Sequence, residues 1–215
     1  MIGWWAWVWA SHASPGFLDT VRPVAAPWDV MQQYAEWSEA NGAARQIHCD
    51  AVWTDHVRLC FRKWEGQTRR WLELDDLERE GLTTAALRER IVRRGEPVLG
   101  SLEQVGVDGM AHQYWQIRDG DGWGVWGALK PAALARAMGS KGGIHVAIPS
   151  QGVLLAWPVG SPELDHVMAV GVREMYDQQA DPVSAVVHTW DGSAWTILGE
   201  AKPAELVAPA SPSPG

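Results

Sequence analysis

Several residue types that usually identify a protein class are scarce in this chain of 215 residues. Cys49 and Cys60 are the two cysteines, too few for a disulfide scaffold at this length, so we expect reduced thiols in a cytoplasmic protein. No apolar run approaches the roughly 20 residues that a membrane-spanning helix needs. The apolar residues 1–10 lack a preceding Lys or Arg, which argues against a secretory signal. The sequence therefore predicts no membrane attachment.

Basic charge is also scarce. Lys and Arg number 18 against 26 Asp and Glu, and the formal net charge is −8. Because phosphate backbones are bound by basic surfaces, we predict no nucleic-acid partner. Residues 66–100 contain the candidate basic patch, formed by Arg69, Arg70, Arg88, Arg90, Arg93 and Arg94. Because Glu89 lies between its members, we interpret it as a solvated helix face.

Motifs for nucleophilic or metal chemistry are missing. Ser150 lies in a segment similar to Gly-x-Ser-x-Gly, but Ile148 replaces the first glycine, so we interpret Ser150 as a turn residue. Residues 48–60 contain six possible metal ligands, yet neither a Cys-x-x-Cys nor a His-Glu-x-x-His spacing occurs there. We therefore predict no metal site and no cofactor.

Four polar residues offer an acid–base alternative. Asp165 and His166 fall in the first turn of a predicted helix, while His145 and His188 fall on strands that would pack near it. Scattered histidines of this kind are more often structural, so we predict no catalytic residues. An enzyme with a His/Asp site formed by these four residues remains the alternative.

Apolar spacing and turn residues define the secondary structure. Helices are predicted over residues 27–41, 83–94, 131–138 and 161–178, with a capping box from Asp75 to Glu78. Strands are predicted over residues 52–64, 69–74, 98–107, 113–118, 123–129, 144–148, 153–157, 184–190 and 195–198. Hairpins that alternate with helices indicate an α+β fold, an antiparallel or mixed sheet covered by helices mainly on one face. We expect one domain over residues 1–200 and a flexible Pro/Ala/Ser tail over residues 201–215.

The order of segments over residues 71–198 resembles the YtpQ-like family of uncharacterised bacterial proteins. The similar segments are 71–77 (Trp-Leu-Glu-Leu-Asp-Asp-Leu), 129–135 (Leu-Lys-Pro-Ala-Ala-Leu-Ala), 146–150 (Val-Ala-Ile-Pro-Ser), 182–184 (Pro-Val-Ser) and 190–195 (Trp-Asp-Gly-Ser-Ala-Trp). The resemblance implies a bacterial, cytoplasmic α+β protein and brings no catalytic residues with it. It divides the domain into a Trp-rich part, residues 1–70, and a YtpQ-like part, residues 71–200.

Tryptophan is the abundant aromatic residue, with 15 Trp against 3 Tyr and 2 Phe. Trp4, Trp5, Trp7 and Trp9 form a cluster, and on a strand the last three would share one face. The cluster either docks on the protein's own core or forms an apolar patch for a partner. Aromatic residues are enriched at the energetic centres of interfaces, which favours a binding role.

The sequence therefore predicts a non-catalytic protein-binding module with a Trp-rich surface. It would act as an adaptor, a self-associating subunit or an acidic immunity-type protein, and its partner would be a protein or a second copy. A carbohydrate-binding module is a further alternative, because indole faces stack on sugar rings.

Overall fold

A computed structural model describes residues 15–41, 49–51, 56–65, 68–119 and 123–200. The helices in these ranges are α1 (Pro15–Thr20), α2 (Trp28–Ala40), α3 (Leu74–Arg79), α4 (Thr84–Arg94), α5 (Trp126–Leu129), α6 (Pro131–Ala137) and α7 (Pro162–Gln178). The strands are β1 (Val21–Pro27), β2 (Cys49–Ala51), β3 (Val57–Glu65), β4 (Thr68–Trp71), β5 (Glu103–Gly106), β6 (Gln113–Arg118), β7 (Ile144–Ser150), β8 (Val153–Pro158), β9 (Val186–Trp190) and β10 (Trp195–Glu200). Two 3₁₀ turns span Glu96–Ser101 and Trp123–Val125. The predicted tail, residues 201–215, lies outside the described residues.

The large sheet has six strands in the order β10-β9-β7-β8-β6-β5, and all neighbouring strands are antiparallel. Sequential hairpins form most of it, as the turn residues predict. All seven residues of β7 are buried, because this central strand is covered on both faces. The α+β prediction with hairpin-built antiparallel sheets is confirmed.

The small sheet forms around β3. Strand β1 pairs along one edge of β3, while β2 and β4 pair with different halves of the other edge. Because side chains alternate along a strand, Val57, Leu59 and Phe61 point to one face of β3 and are buried. The opposite face carries Arg58, Cys60, Arg62 and Trp64. This second face supplies most of the polar features described below.

The core lies on both sides of the large sheet. Helix α7 covers one face, where Leu164, Met168 and Val172 pack against a cluster that includes Leu155 and Trp157. On the other face the inner side of the small sheet and helices α3 to α6 share a second cluster with the buried side chains of β7. Each fully buried Leu, Val or Phe contributes about 1.5–3 kcal/mol to folding. The large sheet is thus the buried middle layer.

Two helices begin at the residues that the sequence indicates. The Thr83 hydroxyl accepts a hydrogen bond from the Ala86 amide at 3.2 Å, and α4 ends at Gly95 as predicted. The Ser161 hydroxyl accepts from the Leu164 amide at 3.3 Å, with Pro162 in the first turn of α7. These caps bind amides that the first turn leaves unpaired.

Three local predictions are wrong. The capping box joins Glu73 and Asp76 rather than Asp75 and Glu78, and Asp76 also accepts hydrogen bonds from Arg70 and Arg79. Residues 123–129 are helical rather than a strand, and residues 96–101 form a 3₁₀ turn ahead of the shorter strand β5. In α5 the Trp126 indole N–H donates to the Val92 carbonyl at 2.5 Å. This contact joins residues far apart in the chain, so local spacing does not reveal it.

The cysteines form a disulfide, so the prediction of reduced thiols is wrong. Cys49 and Cys60 lie directly opposite each other in the β2–β3 ladder, with Cα atoms 4.2 Å apart and an S–S distance of 2.08 Å. This pairing depends on the register between two strands, which the cysteine count does not show. Within the described ranges no helix combines the length and the apolarity needed to cross a bilayer.

Candidate functional site

The structure brings two of the four acid–base candidates together. His145 Nε2 lies 3.2 Å from Asp165 Oδ1, and His145 Nδ1 lies 2.9 Å from the Thr189 hydroxyl. The same Asp165 oxygen accepts a hydrogen bond from the Trp157 indole N–H at 2.9 Å. His145 is 2% exposed and lies between the large sheet and α7, whereas 21% of the Asp165 side chain stays exposed.

The other two candidates lie elsewhere. His188 pairs with Val146 in the β7–β9 ladder, whereas His145 is one residue away along β7, so the two imidazoles point to opposite faces of the sheet. Burial, with a smaller contribution from His56, lowers the pKa of His188 to about 4. His166 is exposed on α7. The four residues therefore do not form one site.

Burial also affects the protonation of His145. Desolvation lowers the pKa of His145, and the nearby Asp165 carboxylate opposes this effect. The buried imidazole thus lies between a hydroxyl of β9 and a carboxylate of α7. Such an arrangement fits a structural role, since a general base also needs access to its substrate.

An exposed apolar stripe runs along α2. Val30, Tyr34 and Trp37 have the spacing i, i+4, i+7 and share one side of the helix. Val30 is 47% exposed and Trp37 58% exposed, and the rings of Tyr34 and Trp37 are 5.8 Å apart. We call these three residues the α2 stripe. The predicted cluster of Trp4, Trp5, Trp7 and Trp9 lies outside the described residues.

Acidic residues accompany the α2 stripe. Helix α2 contains Asp29, Glu36 and Glu39 and has no Lys or Arg in its sequence. Trp28, at the start of the helix, is 43% exposed, but the Arg58 guanidinium lies 3.6 Å from the centre of its ring. Trp28 is thus already packed against a cation, whereas the α2 stripe presents an aromatic surface with acidic neighbours.

A second feature is a cleft of about 460 Å³ where the small sheet meets one end of the large sheet. The outer face of the small sheet contributes Arg22, Arg62 and Arg69, and the end of β6 contributes Arg118. Residues 150–152, at the turn between β7 and β8, form the opposite wall. We call this the arginine cleft. It is a basic site in a protein of net charge −8.

Strand register brings the arginines of the small sheet together. Arg22 on β1 lies directly opposite Arg62 on β3, and Arg62 lies opposite Trp71 on β4. The Arg62 guanidinium lies 4.4 Å from the centre of the Trp71 ring, and the Arg69 guanidinium lies 4.0 Å from that of Trp64. Two indoles therefore support two of the guanidinium groups by cation–π contact.

The side-chain amides of two glutamines also hold two of the arginines in place. Arg62 donates to the Gln151 side-chain oxygen at 3.0 Å, a bond between the two walls of the cleft, and Arg118 donates to that of Gln116 at 2.9 Å. Desolvation lowers the pKa of Arg62, as does the charge of Arg69, while Asp181 raises it. Arg62 is thus half-buried in a positive local field.

The cleft includes one residue that the sequence singled out. Ser150 is 3% exposed and ends β7, so it is not at the strand-to-helix turn that a serine nucleophile needs, and it lines the cleft. Arg69 belongs to the candidate basic patch that we interpreted as a solvated helix face, whereas Arg22, Arg62 and Arg118 were missed because they are far apart in the sequence. The one sequence signal for these arginines is the alternation of Arg and Trp around residues 62–71.

In the described ranges no group of three or more His, Cys, Asp or Glu has a metal-binding arrangement.

Comparisons with known proteins add no residue roles. The resemblance to the YtpQ-like family therefore stays a prediction. No protein-family model, curated protein or solved structure matches this chain.

Proposed function

We propose that this protein is a non-catalytic protein-binding module whose α2 stripe inserts into an apolar groove of a basic partner protein. The exposure of Val30 and Trp37 in the i, i+4, i+7 spacing carries the proposal. Helices that dock into grooves use anchors at this spacing. Exposed aromatic side chains of this kind are enriched among the residues that dominate binding energy.

The negative charge of α2 and of the whole chain supports a basic partner. Asp29, Glu36 and Glu39 lie on the same helix as the α2 stripe, and the whole chain has a net charge of −8. Two copies docked through this helix would place carboxylates near carboxylates, which disfavours association. A groove bordered by Lys or Arg would instead attract the helix and accelerate encounter at low salt.

Burial of the histidines supports the non-catalytic part of the proposal. His145 is 2% exposed and lies next to Thr189 and Asp165, and His188 is fully buried on the opposite face of the sheet. Neither imidazole faces the α2 stripe or lines the arginine cleft. An adaptor, a subunit or an immunity-type inhibitor of a basic enzyme would all use the surface proposed above.

The test compares two exposed tryptophans of α2. A partner captured from the native cell is identified, purified and titrated by calorimetry with the wild-type chain, Trp37→Ala and Trp28→Ala. Loss of an aromatic anchor costs about 2 kcal/mol or more, so Trp37→Ala should weaken binding about 30-fold or more. Trp28→Ala, whose ring packs under Arg58, should bind within about threefold of wild type.

Circular dichroism of both variants checks that the fold is retained, as expected for side chains that are largely exposed. Equal affinities of the wild-type chain and Trp37→Ala would refute the α2 stripe as the binding surface. A purified partner that is acidic and lacks an apolar groove would contradict the proposed partner chemistry.

A further inference from the structure

The arginine cleft has no role in the binding surface proposed above. It lies on the outer face of the small sheet, and neither the residues of the α2 stripe nor the buried histidines line it. Like charges directly opposite in a sheet destabilise the pair, yet Arg22 and Arg62 occupy such positions. A sheet that places two cations side by side in a cleft has the character of an anion-binding surface.

Charge in the cleft is unbalanced toward the positive sign. Its lining includes four arginines and two aspartates, Asp119 and Asp181. A bound group with two negative charges would neutralise the excess, whereas a single carboxylate would leave one positive charge in a partly desolvated site. The charge count therefore favours a dianion.

The donors are held in place before a ligand arrives. Trp71 and Trp64 stack under Arg62 and Arg69, and Gln151 fixes one edge of the Arg62 guanidinium. Preorganised guanidinium groups match the paired oxygens of phosphate well, because their N–H groups form a rigid planar fork. Ser150 adds a hydroxyl to the opposite wall.

The volume of the cleft is larger than an isolated phosphate ion requires. A volume of about 460 Å³ is in the range of small-molecule sites, and Val24, Trp64 and Val153 supply apolar lining. We propose that the arginine cleft binds a small organic phosphate, with the phosphoryl oxygens between the guanidinium groups of Arg62 and Arg69 and the organic part against the apolar lining.

Calorimetry and ³¹P NMR of the full chain with inorganic phosphate and with ribose 5-phosphate test this proposal. Both probes should bind saturably and raise the unfolding temperature, and ribose 5-phosphate should bind more tightly. Arg62→Gln and Arg69→Gln should each raise the dissociation constant about tenfold or more, because each removes a charged hydrogen-bond donor. Arg88→Gln, on the exposed side of α4, is the matched control and should bind like wild type.

Stability without ligand separates a binding role from a structural one. Removing Arg62 relieves its repulsion with Arg69, so Arg62→Gln should unfold at or above the wild-type temperature in phosphate-free buffer. If this variant fails to fold, Arg69→Gln at an exposed position of β4 provides the same binding test. Trp37→Ala should leave phosphate binding unchanged, since the α2 stripe lies outside the cleft.

Four results would overturn the proposal. The first is protection by chloride at matched ionic strength that equals protection by phosphate. The second is binding of both probes by the arginine variants with wild-type affinity. Tighter binding of citrate than of either phosphate probe would assign the cleft to polycarboxylates. A single-stranded RNA oligonucleotide that binds more tightly than ribose 5-phosphate, with a steep salt dependence, would assign it to a nucleic-acid backbone.

Discussion

The two sheets of this protein differ in how many of their faces are covered. The large sheet is packed between α7 and a layer formed by α3 to α6 and the small sheet, and all of β7 is buried. The small sheet buries its inner face, but its outer face is covered only in part: Met31 of α2 packs on Ala26 and Cys60, while Arg22, Arg62 and Arg69 line an open cleft. A sheet covered on both faces supports the fold, whereas a sheet with a partly open face can also bind ligands.

The polar side chains of the two sheets also differ in how far they are buried. His145 and His188 in the large sheet are buried, and desolvation lowers the pKa of each. Arg62 in the small sheet is half-buried, charged and directed into a cleft. The chemistry available for recognition is therefore concentrated in the small sheet and α2, formed by the chain before residue 72.

The strongest test of the large sheet is the substitution Gly143→Ala. A Cβ atom there would lie 2.5 Å from the Trp190 carbonyl oxygen, a backbone atom of β9 that moves only if the β7–β9 pairing opens. We expect a loss of about 3 kcal/mol in the free energy of unfolding, measured by urea denaturation. The neighbouring Gly142→Ala is the control, because a Cβ there meets no atom within 4 Å. Equal losses in the two variants would show that the sheet is not as closely packed as described.

The small sheet should depend on its disulfide. Replacing Cys49 and Cys60 by serine opens a loop with a sequence separation of 11, which should lower the free energy of unfolding by about 2–3 kcal/mol. Hydrogen exchange should accelerate in β1 to β4 more than in β7. Dithiothreitol should destabilise the wild-type chain and leave the double variant unchanged. Uniform loss of protection in both sheets would remove the distinction between them.

Acid should weaken the large sheet through His188. Its pKa is about 4 in the folded state, below the ordinary value of 6.5, so the unfolded chain binds the proton first as the pH falls. Stability should therefore fall between pH 7 and pH 5, by about 2 kcal/mol from this residue. Urea midpoints at both pH values should show a smaller decrease for His188→Gln than for wild type. The exposed His166→Gln should retain the wild-type decrease, and an unchanged decrease in His188→Gln would contradict this account.

Local signals in the sequence predicted many of the elements well. Strand β6 spans residues 113–118 as predicted, and α7 follows the Ser161–Pro162 start signal. These segments combine a clear apolar period with a cap or turn at their ends, so neighbouring residues specify them. Residues 123–129 were misassigned because Trp126 is fixed by Val92, 34 positions earlier in the chain. A contact between residues so far apart produces no periodic pattern of apolar residues in the local sequence.

The candidate sites were harder to predict. The sequence indicated a Trp-bearing binding surface and an acidic protein, and α2 does expose aromatic and acidic residues, although the cluster at residues 4–9 lies outside the described part. Of the four residues considered for an acid–base site, His145 and Asp165 are neighbours, but His188 lies on the other face because strand register decides the direction of each side chain. The arginine cleft was not anticipated, since net charge averages over the whole chain.

By itself the sequence determined the class of fold, most of its helices and hairpins, and the lack of motifs for familiar chemistry. These properties depend on residues within a few turns or strand lengths of one another. The tertiary structure alone decided that two cysteines pair, that two histidines separate and that four arginines converge. Each of these outcomes depends on strand register and on the packing of one sheet against another, which join residues far apart in the chain.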